Sequence, residues 1–260
     1  MRPTVLRAVA RLVLCLCCLP ALVAAAQAGP EDLAADALDA LKQGLKSYEM
    51  ASVEQALLDL DTVYDKVSAK TVKEIGKAVT KVFKTKPRPA REQLEDTREE
   101  LIDSYHLAIG LVFERPEGAA LLSAALKQRH LDDWPEMRAS LIEGLGYRRD
   151  PGLLKTFSKL LDEESPLVAN AAAGALAQLA EEPIAVRRSA ARAVLDAWTE
   201  AAELAQREQS RKKKTTAARE RLDSIEGPFE LCLRKLTRQR HDGPEAWALW
   251  FKQQGGKGNW

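Results

Sequence analysis

Aromatic residues account for only 5% of this 260-residue chain, and glycine and proline occur only 14 and 12 times. Strands favour aromatic and β-branched residues, and these are scarce outside the N-terminal leader. Glycine and proline are too few for a low-complexity chain. Alanine, leucine, glutamate, lysine and arginine, which all favour helices, dominate instead. The composition therefore predicts an all-α protein.

Catalytic and cofactor-binding motifs are also missing from the sequence. There is no Gly-x-Ser-x-Gly elbow, and the Gly-Gly-Lys-Gly of residues 255–258 does not lie between a strand and a helix. The histidines His106, His130 and His241 are too far apart to form a spaced pair of metal ligands. We therefore expect no catalytic residues, no metal and no cofactor.

The first 28 residues have the three parts of a secretory signal peptide. An acid-free segment with Arg2, Arg7 and Arg11 precedes an apolar run over residues 12–19, and the leader ends in a small-residue cleavage pattern. We predict a signal peptide over residues 1–28, and export to the periplasm or the exterior. The apolar run is short for a membrane span, so an uncleaved anchor is the alternative.

Cleavage after Ala28 would remove three of the four cysteines and leave Cys232, which excludes an internal disulfide. Cys232 lies on an apolar stripe, and we expect a buried, inert thiol. The remaining chain would carry 36 basic and 38 acidic residues, a net charge of −2. This balance argues against general nucleic-acid binding. No membrane span would remain after cleavage.

Hydrophobic periodicity divides the rest of the chain. Residues 29–86 contain three apolar stripes at helical spacing and predict an N-terminal helical region, which two prolines at 87 and 89 end. Beyond it, Pro116, Pro151 and Pro183 recur 35 and 32 residues apart, the period of stacked helix pairs. Each proline is expected in the first turn of a helix. Small residues precede these prolines and are expected to let neighbouring helices approach closely: Gly110, Gly144, Gly146 and Gly174.

The segment over residues 137–146, followed by Asp150-Pro151, resembles one HEAT repeat of the PBS-lyase-like kind. Arg138 and Asp150 match the arginine near the start of the second helix and the acid that opens the next repeat. The end of the chain, residues 231–252, is similar to the C-terminal cap of HEAT-repeat proteins secreted by planctomycete-type bacteria. The resemblance implies a short α-solenoid of helix pairs over residues 90–200, a partner-binding role and no lyase activity.

This resemblance favours a non-enzymatic scaffold of the cell envelope or exterior that binds a protein partner along a shallow concave surface. The partner-contact candidates are four arginines on predicted second helices: Arg138, Arg187, Arg188 and Arg192. The segment starting at Arg187 resembles a second-helix start, although residues 166–180 already resemble a second helix. An accessory subunit of an envelope enzyme is a further alternative.

Residues 201–252 predict a long charged helix and the cap, followed by a flexible tail over residues 253–260. The basic stretch 207–221 is either a polyanion site, for nucleic acid, anionic lipid or a cell-wall polymer, or a solvated helix face. It has no interleaved aromatic residue to stack on bases, so nucleic acid is the less favoured ligand. The polyanion candidates are Arg211, Lys212, Lys213 and Lys214. The cap candidates form one helix face at i, i+3, i+4: Trp247, Trp250 and Phe251.

Overall fold

The computed structural model describes residues 29–87, 94–211 and 216–254. The predicted signal peptide, Lys212, Lys213, Lys214 and the tail from residue 255 lie outside the described residues. The described part is all-α: 84% of it is helical, in eleven helices without strands. These helices are α1 (Pro30–Ser47), α2 (Met50–Val63), α3 (Ala69–Lys84), α4 (Leu94–Val112), α5 (Gly118–Leu126), α6 (Pro135–Tyr147), α7 (Leu154–Leu160), α8 (Pro166–Ala177), α9 (Ile184–Arg211), α10 (Ala217–Thr237) and α11 (Gly243–Gln254).

The chain divides into two compact units, which meet in sequence after Ala78. The division falls inside α3, whereas the sequence analysis placed the boundary at the prolines that follow this helix. In the first unit, α1 and α2 form a hairpin with a tight crossing at Gly44, where an added Cβ would lie 3.0 Å from Val53. Glu31 closes this unit by accepting hydrogen bonds from the Ser68 backbone and the Thr71 hydroxyl. These two bonds lower the pKa of Glu31, the Thr71 bond having the larger effect.

The second unit is built from successive helix pairs. Helices α5 and α6, α7 and α8, and α9 and α10 pack as pairs, and α6, α8 and α10 also pack on one another in a row. Helix α4 extends this row by packing on α6, and α11 packs on α9. We call α4, α6, α8 and α10 the second-helix row. Each pair buries an apolar face that the next pair covers.

Three prolines fix the register of these pairs. Pro116 lies in the turn before α5, Pro151 opens the 3-10 turn before α7, and Pro183 immediately precedes α9. Proline is tolerated at these positions because the first turn of a helix leaves its N–H groups unpaired in any case. At Pro151 the Asp150 carboxylate also accepts a hydrogen bond from the backbone N–H of Gly152. Pro116, Pro151 and Pro183 therefore precede the first helices of the three pairs, while Pro135 and Pro166 open the second helices α6 and α8.

The register corrects one prediction. Arg187, Arg188 and Arg192 lie on α9, the first helix of the third pair, and not on a second helix. Helix α8, which carries Asn170 where the repeat pattern has arginine, is the preceding second helix. The division predicted at residue 200 also falls within α9, because no proline or glycine interrupts this helix between Ile184 and Arg211.

Two glycines allow the close packing of the second-helix row. An added Cβ at Gly146 of α6 would lie 2.8 Å from Ala175 of α8. At Gly144 it would lie 2.9 Å from the Ile109 side chain of α4. At Gly146 the added Cβ would clash with the backbone of α8, so this position requires glycine unless the helices separate. At Gly144 the Ile109 side chain would have to shift. No helix in the described ranges is long and apolar enough to cross a membrane.

Candidate functional site

Arg138 is occupied by a contact within the molecule. Its side chain is only 12% exposed, and its two terminal nitrogens donate to the two carboxylate oxygens of Glu163 at 3.1 and 2.7 Å. This bidentate pair fixes the start of α6 to the loop between α7 and α8. The guanidinium is therefore not presented to a partner.

The three other arginine candidates are spread along α9. Arg187 donates to the carbonyl of Leu236 at 2.9 Å, which ties it to the end of α10. The Arg192 guanidinium lies 5.1 Å from the centre of the Phe251 ring, a cation–π contact with α11. Arg188 is half-buried. The structure therefore does not bring the four arginines together on one surface.

The basic stretch is partly neutralised. Arg207 pairs with Glu203, and Arg219 pairs with Asp223 at 2.9 Å. Arg221 donates to two backbone carbonyls just beyond the end of α7. Arg211 is the one polyanion candidate within the described residues, and it is exposed at the end of α9.

The predicted cap residues lie at the contact between α11 and α9. Trp247 is completely buried, Phe251 is nearly so, and Trp250 is half-buried. His241 lies against both indoles, with ring centres 4.8 Å from Trp247 and 5.5 Å from Trp250. The aromatic face of α11 therefore packs inward and is not an exposed platform.

The second-helix row carries exposed glycines that the fold does not require. Gly110 of α4, Gly174 of α8 and Gly227 of α10 are exposed, and an added Cβ would meet nothing within 4 Å. Gly110 and Gly174 were predicted to sit at close helix approaches, and this prediction is wrong. Gly227 was not singled out by the sequence analysis, because it lies outside the repeats defined by the prolines.

Large apolar side chains are exposed on the same helices. Tyr147 at the end of α6 is 65% exposed, Leu167 of α8 is 50% exposed and Leu231 of α10 is 54% exposed. On α8, Leu167 and Gly174 lie two turns apart on one helical stripe, and on α10, Gly227 and Leu231 lie one turn apart. Each of these helices therefore presents an apolar anchor, with an open glycine beside it on α8 and α10.

Between α4 and α6 the row forms a groove of about 300 Å³. Ile109 from α4, Phe113 just after α4 and Tyr147 from α6 give it an apolar lining, and Gly110 and Gly144 also line it. The rings of Phe113 and Tyr147 meet edge-on with centres 6.0 Å apart. Such a groove can take an apolar side chain from a partner.

A hydrogen bond and acidic residues border this groove. His106 Nε2 and Ser140 Oγ are 3.0 Å apart. The acidic side chains Asp103, Glu136 and Glu143 are exposed on α4 and α6. From Glu100 to the end of α4, and over all of α6, the one lysine or arginine is Arg138, which is bound to Glu163. Both helices that form the groove therefore carry exposed acidic side chains, and Arg148 donates to the carbonyl of Phe113, a residue of its lining.

Two titratable groups of the second unit have raised pKa values. Burial raises the pKa of the Cys232 thiol, so thiolate is scarce at neutral pH. Burial, and then the charge of Glu200, raises the pKa of Asp162, which lies in the loop after α7. No group of three or more histidine, cysteine, aspartate or glutamate side chains in this part of the chain is placed to hold a metal ion.

Comparison of the chain with protein-family models, with curated proteins and with solved structures found no match.

Proposed function

We propose that this protein is a non-enzymatic, protein-binding module of the HEAT type, exported to the periplasm or the exterior. Its partner packs along the exposed face of the second-helix row and anchors an apolar side chain in the groove between α4 and α6. The row of paired helices, the exposed Tyr147, Leu167 and Leu231, and the open glycines support this proposal.

The observation that carries the proposal is the contrast between two kinds of glycine. An added Cβ at Gly144 or Gly146 would press on a neighbouring helix, whereas at Gly110 and Gly174 it would meet open space. Gly227 also faces open space, but it precedes Pro228, and a side chain before proline is disfavoured in a helix. Glycine within a helix costs about 1 kcal/mol of stability relative to alanine. Close approach of another backbone is a physical reason to keep glycine at an exposed position. A partner on the second-helix row would supply that approach.

The test is affinity capture of the partner from the cell envelope, with the purified protein and a variant carrying Gly110→Ala and Gly174→Ala. We expect each substitution to raise the free energy of unfolding by roughly 0.5–1 kcal/mol, because alanine favours the helix. We expect the same variant to bind its partner less tightly, because each new methyl group holds the partner backbone away. Stability is measured by urea denaturation, and affinity by titration with the captured partner.

Thr156→Ala on α7 is the matched control. Thr156 is exposed on a first helix, and alanine raises helix propensity there as well. This variant should also be stabilised but should bind as the parent protein does. Equal affinity of the glycine variant and the control for the captured partner would contradict the proposed surface.

A further inference from the structure

Five lysines lie on one face of α3, a continuous helix from Ala69 to Lys84. Successive residues of an α-helix are about 100° apart and rise by about 1.5 Å, so these five side chains fall within an arc of about 80° along about 21 Å of the helix. All five are exposed. We call these residues the lysine stripe: Lys70, Lys73, Lys77, Lys81 and Lys84.

The lysine stripe is almost unneutralised. Glu74 is the single acidic residue of α3, and its carboxylate binds Lys77 at 2.8 Å. The hydrogen bond from Lys77 is the main cause that lowers the pKa of Glu74, and the charges of Lys77, Lys42 and Lys70 lower it further. The other four lysines of the stripe have no ion-pair partner in the part of the chain that the structure describes. One side of α3 therefore carries uncompensated positive charge.

This arrangement is unfavourable for the helix that carries it. Lys73 and Lys77 are four residues apart, as are Lys77 and Lys81, and like charges at this spacing destabilise a helix. Elsewhere the chain places opposite charges four residues apart, as in the pair of Arg219 with Asp223 on α10. The lysine stripe therefore does not stabilise α3, and an anionic partner outside the fold would supply the missing countercharge.

The residue types of α3 narrow the class of partner. Lysine is depleted in the cores of protein interfaces, which argues against a protein partner. The helix has no arginine for bidentate binding of a fixed phosphate, and its one aromatic residue, Phe83, is buried and cannot stack on a base. Its apolar side chains Ile75 and Val79 are also buried, so they are not available to enter a bilayer. The stripe is therefore suited to electrostatic attraction by a surface of many anionic groups.

We propose that the lysine stripe binds the protein to the surface of a lipid bilayer that contains anionic headgroups. Helix α3 lies along the surface, and the lysine ammonium groups lie among the lipid phosphates without entering the hydrocarbon. Salt weakens this attraction, because the Debye length falls from about 10 Å at 0.1 M salt to about 3 Å at 1 M. The lysine stripe shares no residue with the second-helix row, so this binding is independent of the protein-binding surface proposed above.

Co-sedimentation of the purified protein with lipid vesicles measures this binding. The vesicles contain phosphatidylcholine alone or together with about one third of the anionic lipid phosphatidylglycerol. We expect the protein to bind the anionic vesicles in about 50 mM salt and to dissociate from them in about 300 mM salt. The neutral vesicles should not bind it.

A variant with Lys70→Gln, Lys73→Gln and Lys81→Gln tests the stripe itself, because glutamine keeps the helix propensity of lysine and removes its charge. We expect the partition coefficient of this variant onto the anionic vesicles to fall about 100-fold, which is about fivefold for each lysine. Its urea midpoint should not decrease, because like charges are removed from the helix. The urea midpoint thus separates a loss of binding from a loss of folding.

The matched control carries Lys127→Gln, Lys155→Gln and Lys159→Gln, which remove the same charge from exposed positions outside α3. This control should bind the anionic vesicles as tightly as the parent protein does. An equal loss of binding in the control, or no binding of the parent protein to anionic vesicles in low salt, overturns the proposal. Tighter binding of the parent protein to a short DNA duplex in the same buffer would assign the lysine stripe to nucleic acid and would also overturn it.

Discussion

Several arginines of the second unit act as internal helix caps. Arg148 donates to two carbonyls just beyond α4, Arg221 to two just beyond α7, and Arg187 to the carbonyl of Leu236 at the end of α10. A helix C-terminus leaves carbonyl groups unpaired and carries partial negative charge, so a guanidinium is a favourable partner there. A local sequence motif cannot distinguish such a cap from a partner contact, because the carbonyls belong to distant segments.

His130 is half-buried beside Tyr105, and its pKa is lowered in the folded protein. Its Nε2 lies 2.9 Å from the hydroxyl of Tyr105, which is itself close enough to the carbonyls of Phe83 and Thr85 to donate a hydrogen bond. Burial is the main cause that lowers the pKa of His130. The charge of Lys86 lowers it further, and Asp132 opposes the shift. The folded protein therefore disfavours the imidazolium form.

We predict that acid destabilises the protein through His130. Because its pKa is lower in the folded state, the unfolded chain binds more protons as the pH falls below the usual histidine value of about 6.5. The free energy of unfolding should therefore be highest above that pH and should decrease toward pH 5. Urea midpoints at pH 7.5 and 5.0 measure the change.

In a His130→Gln variant, the difference in the free energy of unfolding between pH 7.5 and pH 5.0 should be much smaller. In His106→Gln this difference should remain. An unchanged pH dependence in His130→Gln would assign the effect to other groups.

At the scale of the element, α10 is continuous although it contains Pro228. Proline has no N–H, so the carbonyl of Ser224, four residues earlier, loses its helical hydrogen bond. Asn170 of α8 compensates, because its Nδ2 donates to that carbonyl at 3.1 Å. The residue that stands where the repeat pattern has arginine therefore joins two helices of the second-helix row.

We predict that Asn170→Ala lowers the free energy of unfolding by about 1 kcal/mol, because the Ser224 carbonyl loses its donor. In a Pro228→Ala background a backbone N–H is restored, and the cost of Asn170→Ala should fall by at least half. Urea denaturation of the four proteins in this double-mutant cycle measures the coupling. Additive effects would show that Asn170 acts independently of the proline.

The sequence predicted which segments are helical and that they form pairs better than it predicted which side of each helix is buried. The proline spacing predicted the period of the helix pairs, because proline is accepted at the start of a helix. The matching of Arg187 to a second helix failed because that motif describes contacts with another segment. In α1, Leu33 has helical spacing with the buried Ala37 and Leu41 but is exposed, and Ala34 is buried instead.

The candidate site could be predicted only in part, for the same physical reason. Four glycines have similar settings in the sequence, yet Gly144 and Gly146 touch a neighbouring helix while Gly110 and Gly174 face open space. The difference depends on how each helix is rotated against its neighbour, and local spacing does not determine this rotation.

At the scale of the whole molecule, the second unit depends on contacts between neighbouring helix pairs. The pair α9–α10 packs on α8 through α10, and α11 covers α9 with Trp247. In such an arrangement stability is a sum of terms for each pair and its neighbours. The loss of stability caused by a substitution at the C-terminal end should therefore decrease with distance along the row.

Trp247→Ala tests this nearest-neighbour behaviour, because it removes a completely buried indole and should cost about 3–5 kcal/mol. We predict that amide hydrogen exchange accelerates most in α9, α10 and α11, and least in α5 and α6, two pairs away. Leu249→Ala on the same helix is the control, since Leu249 is 58% exposed and its loss should leave exchange nearly unchanged. Equal acceleration of hydrogen exchange in every helix would instead mean that the unit unfolds as one cooperative block. Stability would then not be a sum over neighbouring helix pairs, even though the helices are arranged in pairs.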